Sequence, residues 1–219
     1  MTPAAGALRL ARPALVLVTD AGRLRGRAIE DVVREAVLGG VDVVQLREKQ
    51  RTHAALLGLG ARVRDAIVGR ALFVVNNDID AAAALRADCV HLPEDGESIA
   101  AARARLGGDI LISRAVHGVN AALRAERDGA DIVQIGTVFP SKSHPGGATI
   151  GVEGLRAVCD AVRVPVIAIG GITAANAGGV IRAGAAGVAV IGAILDAGDP
   201  RAAAAALRVA IDAVFAAEA

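Results

Sequence analysis

The stretch "VPVIAIGG", residues 164–171, is an uninterrupted run of aliphatic residues that ends in two glycines. A strand that is buried on one face alternates apolar with polar residues, whereas a strand that is buried on both faces is continuously apolar. Both faces are covered mainly in parallel sheets, which carry helices on each side or close into a barrel. The stretch therefore predicts a strand of a parallel sheet.

Seven other stretches have the same character, and amphipathic segments that often end in glycine, a common helix C-cap, separate them. They cover residues 14–18, 41–46, 71–75, 88–92, 109–113, 131–136 and 187–192. Eight strands that alternate with about eight helices predict a single (β/α)8 TIM barrel. A doubly wound sheet is the alternative, although "TDAGRLRG" after the first run lacks the glycine fingerprint of that fold.

The composition indicates one domain with an aliphatic core. Hydrophobic residues make up 54% of the 219 residues but aromatic residues only 1%, which leaves few side chains to stack on bases. The formal net charge of +1 provides no field for nucleic acid or a membrane surface, and no apolar run is long enough to span a membrane. We expect a cytoplasmic protein with one domain over residues 1–219, a flexible segment at residues 1–13, and two buried free thiols, Cys89 and Cys159.

In a barrel of this type the catalytic residues lie where the strands end. There, "FVVNND", residues 73–78, changes from apolar to polar and presents Asn76 and Asn77. "QLREK", residues 45–49, alternates an amide and two cations on one side of an extended segment: Gln45, Arg47 and Lys49. Such a set suits a phosphate or a carboxylate, unless it is only a cluster of surface charges.

The glycines after strands 7 and 8 predict a second anion site. Gly170, Gly171 and Gly192 would let backbone amides approach a phosphate, which barrels often bind at this place, or else they serve only tight turns. Two anion sites on opposite sides of one mouth imply a substrate, or a pair of substrates, with phosphate at both ends. The segment 139–151, with three glycines and two prolines, is predicted to be a lid that carries Lys142 and His144, or else an insertion without a role.

Taken as a set, the motifs of this chain resemble those of the thiamine phosphate synthase/TenI family of (β/α)8 enzymes. The matching motifs, in family order, are "VQLREK", "VNND", "HLPED", "VFPSKS", "PVIAIGGIT" and "GAAGVAVIGAI". The resemblance implies one of two activities. The synthase couples a hydroxymethylpyrimidine diphosphate with a thiazole phosphate and releases pyrophosphate with Mg²⁺, whereas TenI-type proteins aromatise a thiazole phosphate carboxylate tautomer without a metal.

The resemblance also implies which residues bind the substrate. It places pyrophosphate at the first anion site and at the lid, where His144 occupies the position of a family lysine, and it places the thiazole phosphate at the second. The implied substrate-binding residues are Gln45, Arg47, Lys49, Asn76, Asn77, Ser141, Ser143, His144, Gly170, Gly171, Ile191 and Gly192.

Three positions depart from the synthase pattern. The two aspartates that hold Mg²⁺ in the synthase are replaced by Asn77 and Gly96, and a serine in the motif after strand 5 is replaced by Ala115. Mg²⁺ prefers anionic oxygens, so neither Asn77 nor Gly96 is a good ligand. A shift in register would let a neighbouring carboxylate take over: Asp78, Glu94 or Asp95.

The stretch "ISRAVH", residues 112–117, is similar to the TenI-type motif whose histidine is catalytic, so His117 is the implied catalytic residue. An imidazole is the side chain best suited to move protons near neutral pH. The prediction is a thiazole tautomerase that needs no cofactor and acts on a small phosphate substrate. The alternatives are a Mg²⁺-dependent thiamine phosphate synthase and a non-catalytic protein that binds thiazole or thiamine phosphate. Barrels of this size often pair, so a homodimer is an open alternative to a monomer.

Overall fold

The computed structural model describes residues 12–48, 51–141 and 146–218. Its strands are β1 Ala14–Val18, β2 Val43–Leu46, β3 Leu72–Asn76, β4 Cys89–Leu92, β5 Leu111–Val116, β6 Ile132–Ile135, β7 Val166–Ile169 and β8 Gly187–Val190. Its helices are α1 Ile29–Leu38, α2 His53–Ile67, α3 Ile79–Ala84, α4 Ile99–Leu106, α5 Val119–Arg127, α6 Gly151–Ala161, α7 Ala177–Arg182, α8 Gly192–Leu195 and α9 Pro200–Glu218, with a 3₁₀ turn at Ala21–Arg23. All neighbouring strands are parallel, and β8 pairs with β1, so the sheet closes into a barrel. The predicted (β/α)8 barrel is confirmed.

The strands form where the sequence places the apolar runs, and β1 coincides with its run. The largest difference is at β5, which continues to Val116, past the run that ends at Ser113. Arg114 and Ala115 therefore lie within the strand, with Arg114 opposite Leu92 of β4. The strand boundary expected from sequence was too early, and His117 is the residue that directly follows the strand.

Side chains along each strand alternate between two apolar layers, because successive strand residues point to opposite faces. Leu15 and Leu17 of β1 lie in the layer between the strands and the helices, where Phe73 also lies. Val16 and its counterparts face the lumen: Val43, Val74, Cys89, Ile132, Ile167 and Ala189. Burial of this aliphatic surface, at about 25 cal/mol per Å², is the main term that stabilises the barrel.

Capping residues close to each helix end in the sequence determine where the helices begin and end. Asp78 caps α3 by accepting a hydrogen bond from the Ala81 amide at 2.8 Å, and Ser98 caps α4 through the Ala101 amide at 3.1 Å. Gly107 ends α4 with a φ of 71°, in agreement with the predicted glycine cap. The two N-caps fix strand-to-helix loops from which the mouth of the barrel is built, and Gly107 begins a helix-to-strand loop at the other end of the barrel.

Both cysteines are free thiols, as predicted, but only Cys89 is fully buried, and Cys159 is partly exposed. Burial raises the pKa of Cys89 to about 12 and that of Cys159 to about 11, so both thiols stay protonated and unreactive. In the described part of the chain, no helix combines the length and the apolar character needed to cross a membrane.

Candidate active site

A layer of polar side chains covers the apolar lumen at the carboxyl ends of the strands. Side chains along a strand alternate between its two faces, so the residue two positions after a lumen-facing residue faces the lumen as well. The layer comprises Gln45, Asn76, His91, Ser113 and Gln134. Gln45 and Asn76 were predicted to bind substrate. Gln134 was not predicted, although counting two residues from Ile132 would have found it.

Hydrogen bonds connect neighbouring members of this polar layer. Gln45 Nε2 donates to Asn76 Oδ1 at 3.2 Å, and His91 Nδ1 lies 3.0 Å from Ser113 Oγ. Burial, followed by the positive charges of Arg114 and Arg47, lowers the pKa of His91 to about 4. His91 is therefore neutral at physiological pH and serves as a buried structural residue of the mouth.

A cavity of about 320 Å³, which we call the glycine cavity, opens between the loops that follow β7 and β8. Its walls bring together predicted binding residues from three loops: Ser141, Gly170, Gly171, Ile191 and Gly192. Thr137 and Thr173 add hydroxyl groups, and Arg23 adds a guanidinium. The carboxylate of Asp196 lines the same cavity and is paired with Arg23, so the groups that suit a phosphate-sized anion here are the hydroxyls and the glycine backbone.

Two of the glycines are required both by space and by backbone conformation. A Cβ on Gly170 would lie 2.5 Å from Cγ2 of Thr137, and a Cβ on Gly171 would lie 2.5 Å from the carbonyl oxygen of Pro140. Both glycines also have a positive φ, 107° and 64°, which disfavours other residues. The turn after β7 therefore packs its bare backbone against the loop after β6, and glycine keeps that backbone at the cavity wall.

Arg23 reaches the glycine cavity from the 3₁₀ turn after β1. It forms ion pairs with Asp20, directly before that turn, and with Asp196, after β8. Its Nη1 lies 2.8 Å from Asp196 Oδ2, and its Nε lies 3.5 Å from Asp20 Oδ2. The prediction from sequence missed Arg23, because Asp196 is 173 residues away and no local pattern marks the pair. The pairing of β8 with β1 brings the two side chains together.

A second cavity of about 360 Å³, which we call the histidine cavity, adjoins the first, since Thr137 and Ile169 line both. His117 lies on its wall, together with Gln134 of the polar layer and Ala148 of the segment before α6. The two cavities therefore meet at Thr137 and Ile169.

His117 is paired with a carboxylate that the sequence suggested only as a substitute metal ligand. Its Nδ1 lies 2.7 Å from Oε2 of Glu94, in the loop after β4, and the other carboxylate oxygen of Glu94 lies 3.5 Å from Arg124 Nη2. The His117 side chain is 70% exposed and the Glu94 side chain 27%. The pair is thus accessible to a ligand that enters from solvent.

Four residues of the predicted binding set and lid lie outside the described part of the chain: Lys49, Lys142, Ser143 and His144. The same is true of most of the predicted flexible segment 1–13. Of the "QLREK" motif, Arg47 is partly buried and its backbone amide donates to Thr19 Oγ1 at 3.0 Å. The next residue, Glu48, accepts hydrogen bonds from Thr19 Oγ1 and from the Ala21 amide, so it anchors the loop after β1.

The Mg²⁺ that the resemblance implies for a synthase fits poorly at this mouth, because Mg²⁺ bound to a diphosphate needs one or two free carboxylates. Asn77 is exposed and offers only an amide, which leaves the exposed Asp95, in the loop after β4, as a single candidate carboxylate. Asp78 caps α3 and lies 2.8 Å from Nδ1 of His53, while Glu94 is paired as described above. Across residues 12–48, 51–141 and 146–218, no group of three or more His, Cys, Asp or Glu side chains could hold a cation.

The fold and the site define a (β/α)8 barrel enzyme whose mouth, with two adjoining cavities, suits a small anionic substrate. A sequence model of one family, described as thiamine monophosphate synthase, matches residues 15–194. The chain belongs to this family of thiamine-biosynthesis enzymes.

Individual relatives agree with this family assignment. The chain is 44% identical over 200 residues to a protein of Haloquadratum walsbyi named thiamine-phosphate synthase, with 90% of each chain covered. It is 43% identical over 197 residues to a protein of Chloroflexus aurantiacus with the same name, covering 89% of this chain and 90% of that one. A solved structure, thiamine phosphate pyrophosphorylase from Pyrococcus furiosus, matches with a TM-score of 0.84 and 35% identity, over 92% of this chain and 96% of that one. These names do not confirm the expected preference for the tautomerase branch.

Proposed function

We propose that this chain couples a hydroxymethylpyrimidine diphosphate with a thiazole phosphate, which yields thiamine phosphate and pyrophosphate. The observation that supports this function best is that polar and cationic groups suited to an anion occur at two places of the mouth, one at the ends of β2 and β3 and one in the glycine cavity after β7 and β8. In the ring of eight strands β3 lies four strands from β7, while β1 alone separates β8 from β2, so the two places occupy different parts of the rim of one mouth. Two substrates that each carry phosphate need such an arrangement. Relatives that are 38–44% identical and carry the name thiamine-phosphate synthase support the same function.

In the coupling reaction, the thiazole nitrogen attacks the methylene carbon of the pyrimidine, a C–N bond forms, and the C–O bond to the diphosphate breaks. The glycine cavity would hold the thiazole phosphate and thereby fix the position of the ring nitrogen. At the other place, Gln45 and Asn76 present amide groups, and Arg47 brings a positive charge that stabilises the negative charge developing on the leaving pyrophosphate. Lys49, outside the described residues, is expected from the sequence to join them.

A second function, aromatisation of a thiazole phosphate carboxylate tautomer, is favoured by the His117–Glu94 pair on the wall of the histidine cavity. This reaction removes a proton from the ring system and returns one at another atom, and an imidazole beside the bound thiazole can do both. The poor fit of Mg²⁺ to the carboxylates of the mouth also supports this function. Both functions use the glycine cavity in the same way, for the phosphate of the thiazole.

Two assays on the purified wild-type protein separate these functions. The first supplies both synthase substrates, with Mg²⁺ and then with EDTA, and measures thiamine phosphate and pyrophosphate. The second supplies the thiazole phosphate carboxylate tautomer and follows its aromatisation. Thiamine phosphate formed at an ordinary enzymatic rate supports the coupling function. Aromatisation without coupling would replace it with the second function, and binding of thiazole phosphate without either turnover would overturn both.

The variant Arg47→Met tests the anion-binding place on β2 and β3. Loss of a preorganised charge at the leaving group is expected to lower kcat for coupling about 100-fold or more. Binding of thiazole phosphate, measured by calorimetry, should stay unchanged because Arg47 does not line the glycine cavity. Arg70→Met is the matched control, since Arg70 is exposed and lies at the opposite end of the barrel, before β3. If the two variants behave alike, Arg47 does not act on the leaving group.

A further inference from the structure

We infer that Glu94 is a positioning residue for His117, whose carboxylate determines which ring nitrogen of His117 carries the proton. Nδ1 of His117 lies 2.7 Å from Oε2 of Glu94, which is a hydrogen-bond distance. An ionised carboxylate can only accept, so Nδ1 carries the proton and donates it to Glu94. Nε2 is then left with its lone pair and can accept a proton from a ligand in the histidine cavity.

A contribution to folding does not account for this pair. The His117 side chain is 70% exposed, and pairs between exposed charged or polar groups contribute little to the free energy of unfolding. Fixing one tautomer of a histidine on a cavity wall, in contrast, is useful to proton transfer, because the neutral imidazole otherwise divides between two tautomers.

Arg114 holds both partners of the pair in place. It is only 6% exposed and lies on β5, directly before the residues that lead to His117. Its Nη1 donates to the carbonyl oxygen of Pro93 at 2.5 Å, and its Nη2 donates to that of Glu97 at 2.6 Å. These two carbonyl groups lie on either side of Glu94 in the chain. One buried guanidinium therefore fixes the loop that presents Glu94 against the strand that presents His117.

The same contacts argue against Glu94 as a ligand of a divalent cation. One of its oxygens is within hydrogen-bond distance of His117, and the other lies 3.5 Å from the guanidinium of Arg124. A cation bound to this carboxylate would be repelled by Arg124 and would compete with the imidazole. The role of Glu94 in catalysis rests on the second proposed function, the aromatisation, but its effect on the tautomer of His117 does not.

The test is ¹⁵N NMR of the histidine ring nitrogens at about pH 8, above the ordinary titration range of an imidazole. We compare the wild type with Glu94→Leu, which removes the acceptor at similar volume, and with Arg124→Met, which removes the neighbouring charge and keeps Glu94. The ¹⁵N shifts of His117, assigned through His117→Gln, are expected to report the Nδ1–H tautomer in the wild type and in Arg124→Met. In Glu94→Leu they are expected to move to the Nε2–H tautomer. Glu94→Asp, if it restores part of the wild-type signature, shows that the carboxylate is responsible.

Kinetics give the second measurement on the same variants. In the aromatisation assay, Glu94→Leu is expected to lower kcat at least 10-fold with an unchanged KM, because the glycine cavity still binds the phosphate. An unchanged tautomer in a folded Glu94→Leu protein would overturn the inference. The inference would also be overturned if Glu94→Leu lost Mg²⁺-dependent coupling while the tautomer of His117 stayed unchanged, since that result would make Glu94 a cation ligand. If the tautomer changes as expected but the wild type aromatises nothing, the positioning role stands and the second proposed function fails.

Discussion

Acidification tests the polar layer of the mouth, because His91 is buried in that layer as a neutral imidazole. Its pKa is lowered from 6.5 to about 4. A histidine whose pKa is lower in the folded than in the unfolded chain binds fewer protons when folded, so the free energy of unfolding falls as the pH drops below the unfolded value. The loss is about 2 kcal/mol between about pH 7 and pH 5 and about 3 kcal/mol by pH 4. At lower pH the folded His91 also becomes protonated, and its contribution to the loss stops growing.

Asp78 does not interfere in this pH window. Burial alone would raise the pKa of Asp78, but the hydrogen bond from the Ala81 amide and the pair with His53 outweigh burial and lower it from 3.8. A carboxylate with a lowered folded pKa stabilises the fold above its unfolded value and loses that effect only as the pH falls through the folded value. The loss of stability between pH 7 and pH 5 therefore does not come from Asp78.

The measurement is urea unfolding of the wild type and of His91→Gln at several pH values between 7 and 5. Glutamine can still hydrogen-bond to Ser113 but does not titrate. The wild type is expected to lose about 2 kcal/mol more than His91→Gln over this range. In NMR spectra of the folded wild type, the ring signal of His91 should stay unchanged between pH 7 and pH 5. Equal losses in the two proteins, or a His91 signal that shifts between pH 7 and pH 5, would refute the buried neutral imidazole.

Two further substitutions test the mouth of the barrel. Gly171→Ala brings a Cβ to 2.5 Å from the Pro140 carbonyl oxygen at a φ of 64°. The free protein relieves about 1–2 kcal/mol of backbone strain by moving this turn, and binding must restore the turn, so calorimetry should find thiazole phosphate bound about tenfold more weakly. The control Gly58→Ala, with open space around its Cβ, should bind normally. Wild-type affinity in Gly171→Ala would exclude this turn from the binding site. Asn77→Asp adds a carboxylate at a φ of 57°, which Asp tolerates, so the affinity for Mg²⁺ in the presence of pyrophosphate should increase. An unchanged affinity would mean that residue 77 does not face the diphosphate.

The fold could be predicted because the signal for each strand is local. A parallel strand covered on both faces needs a continuous apolar run, and the eight runs of this chain lie at the eight strands of the barrel. The end of β5 could not be predicted in the same way, because Arg114 is a charged residue inside a strand. Its burial depends on the carbonyl groups of Pro93 and Glu97, which belong to another loop, and a single run of sequence does not reveal such partners.

The same distinction applies to the candidate site. Gly170 and Gly171 stand out locally, since two glycines directly after an apolar run indicate an unusual turn, and the structure brings them to a cavity wall. Arg23 and Glu94 have no comparable signal. Arg23 depends on Asp196, near the other end of the chain, and Glu94 depends on His117 in the next strand-to-helix loop. In the sequence, Glu94 suggested a metal ligand, because the carboxylate is visible there and its imidazole partner is not.

The glycine cavity lies where the two ends of the sheet meet. Arg23 follows β1, Gly192 and Asp196 follow β8, and the pairing of β8 with β1 brings them together. This pairing joins the most distant strands in the sequence, so forming it costs more chain entropy than any pairing of consecutive strands. A phosphate ligand that binds only the closed ring stabilises it by mass action, by about 2.7 kcal/mol at a hundred times its Kd. Substrate concentration and the closure of the barrel are therefore linked, and a protein saturated with thiazole phosphate should unfold at a higher temperature than the free protein.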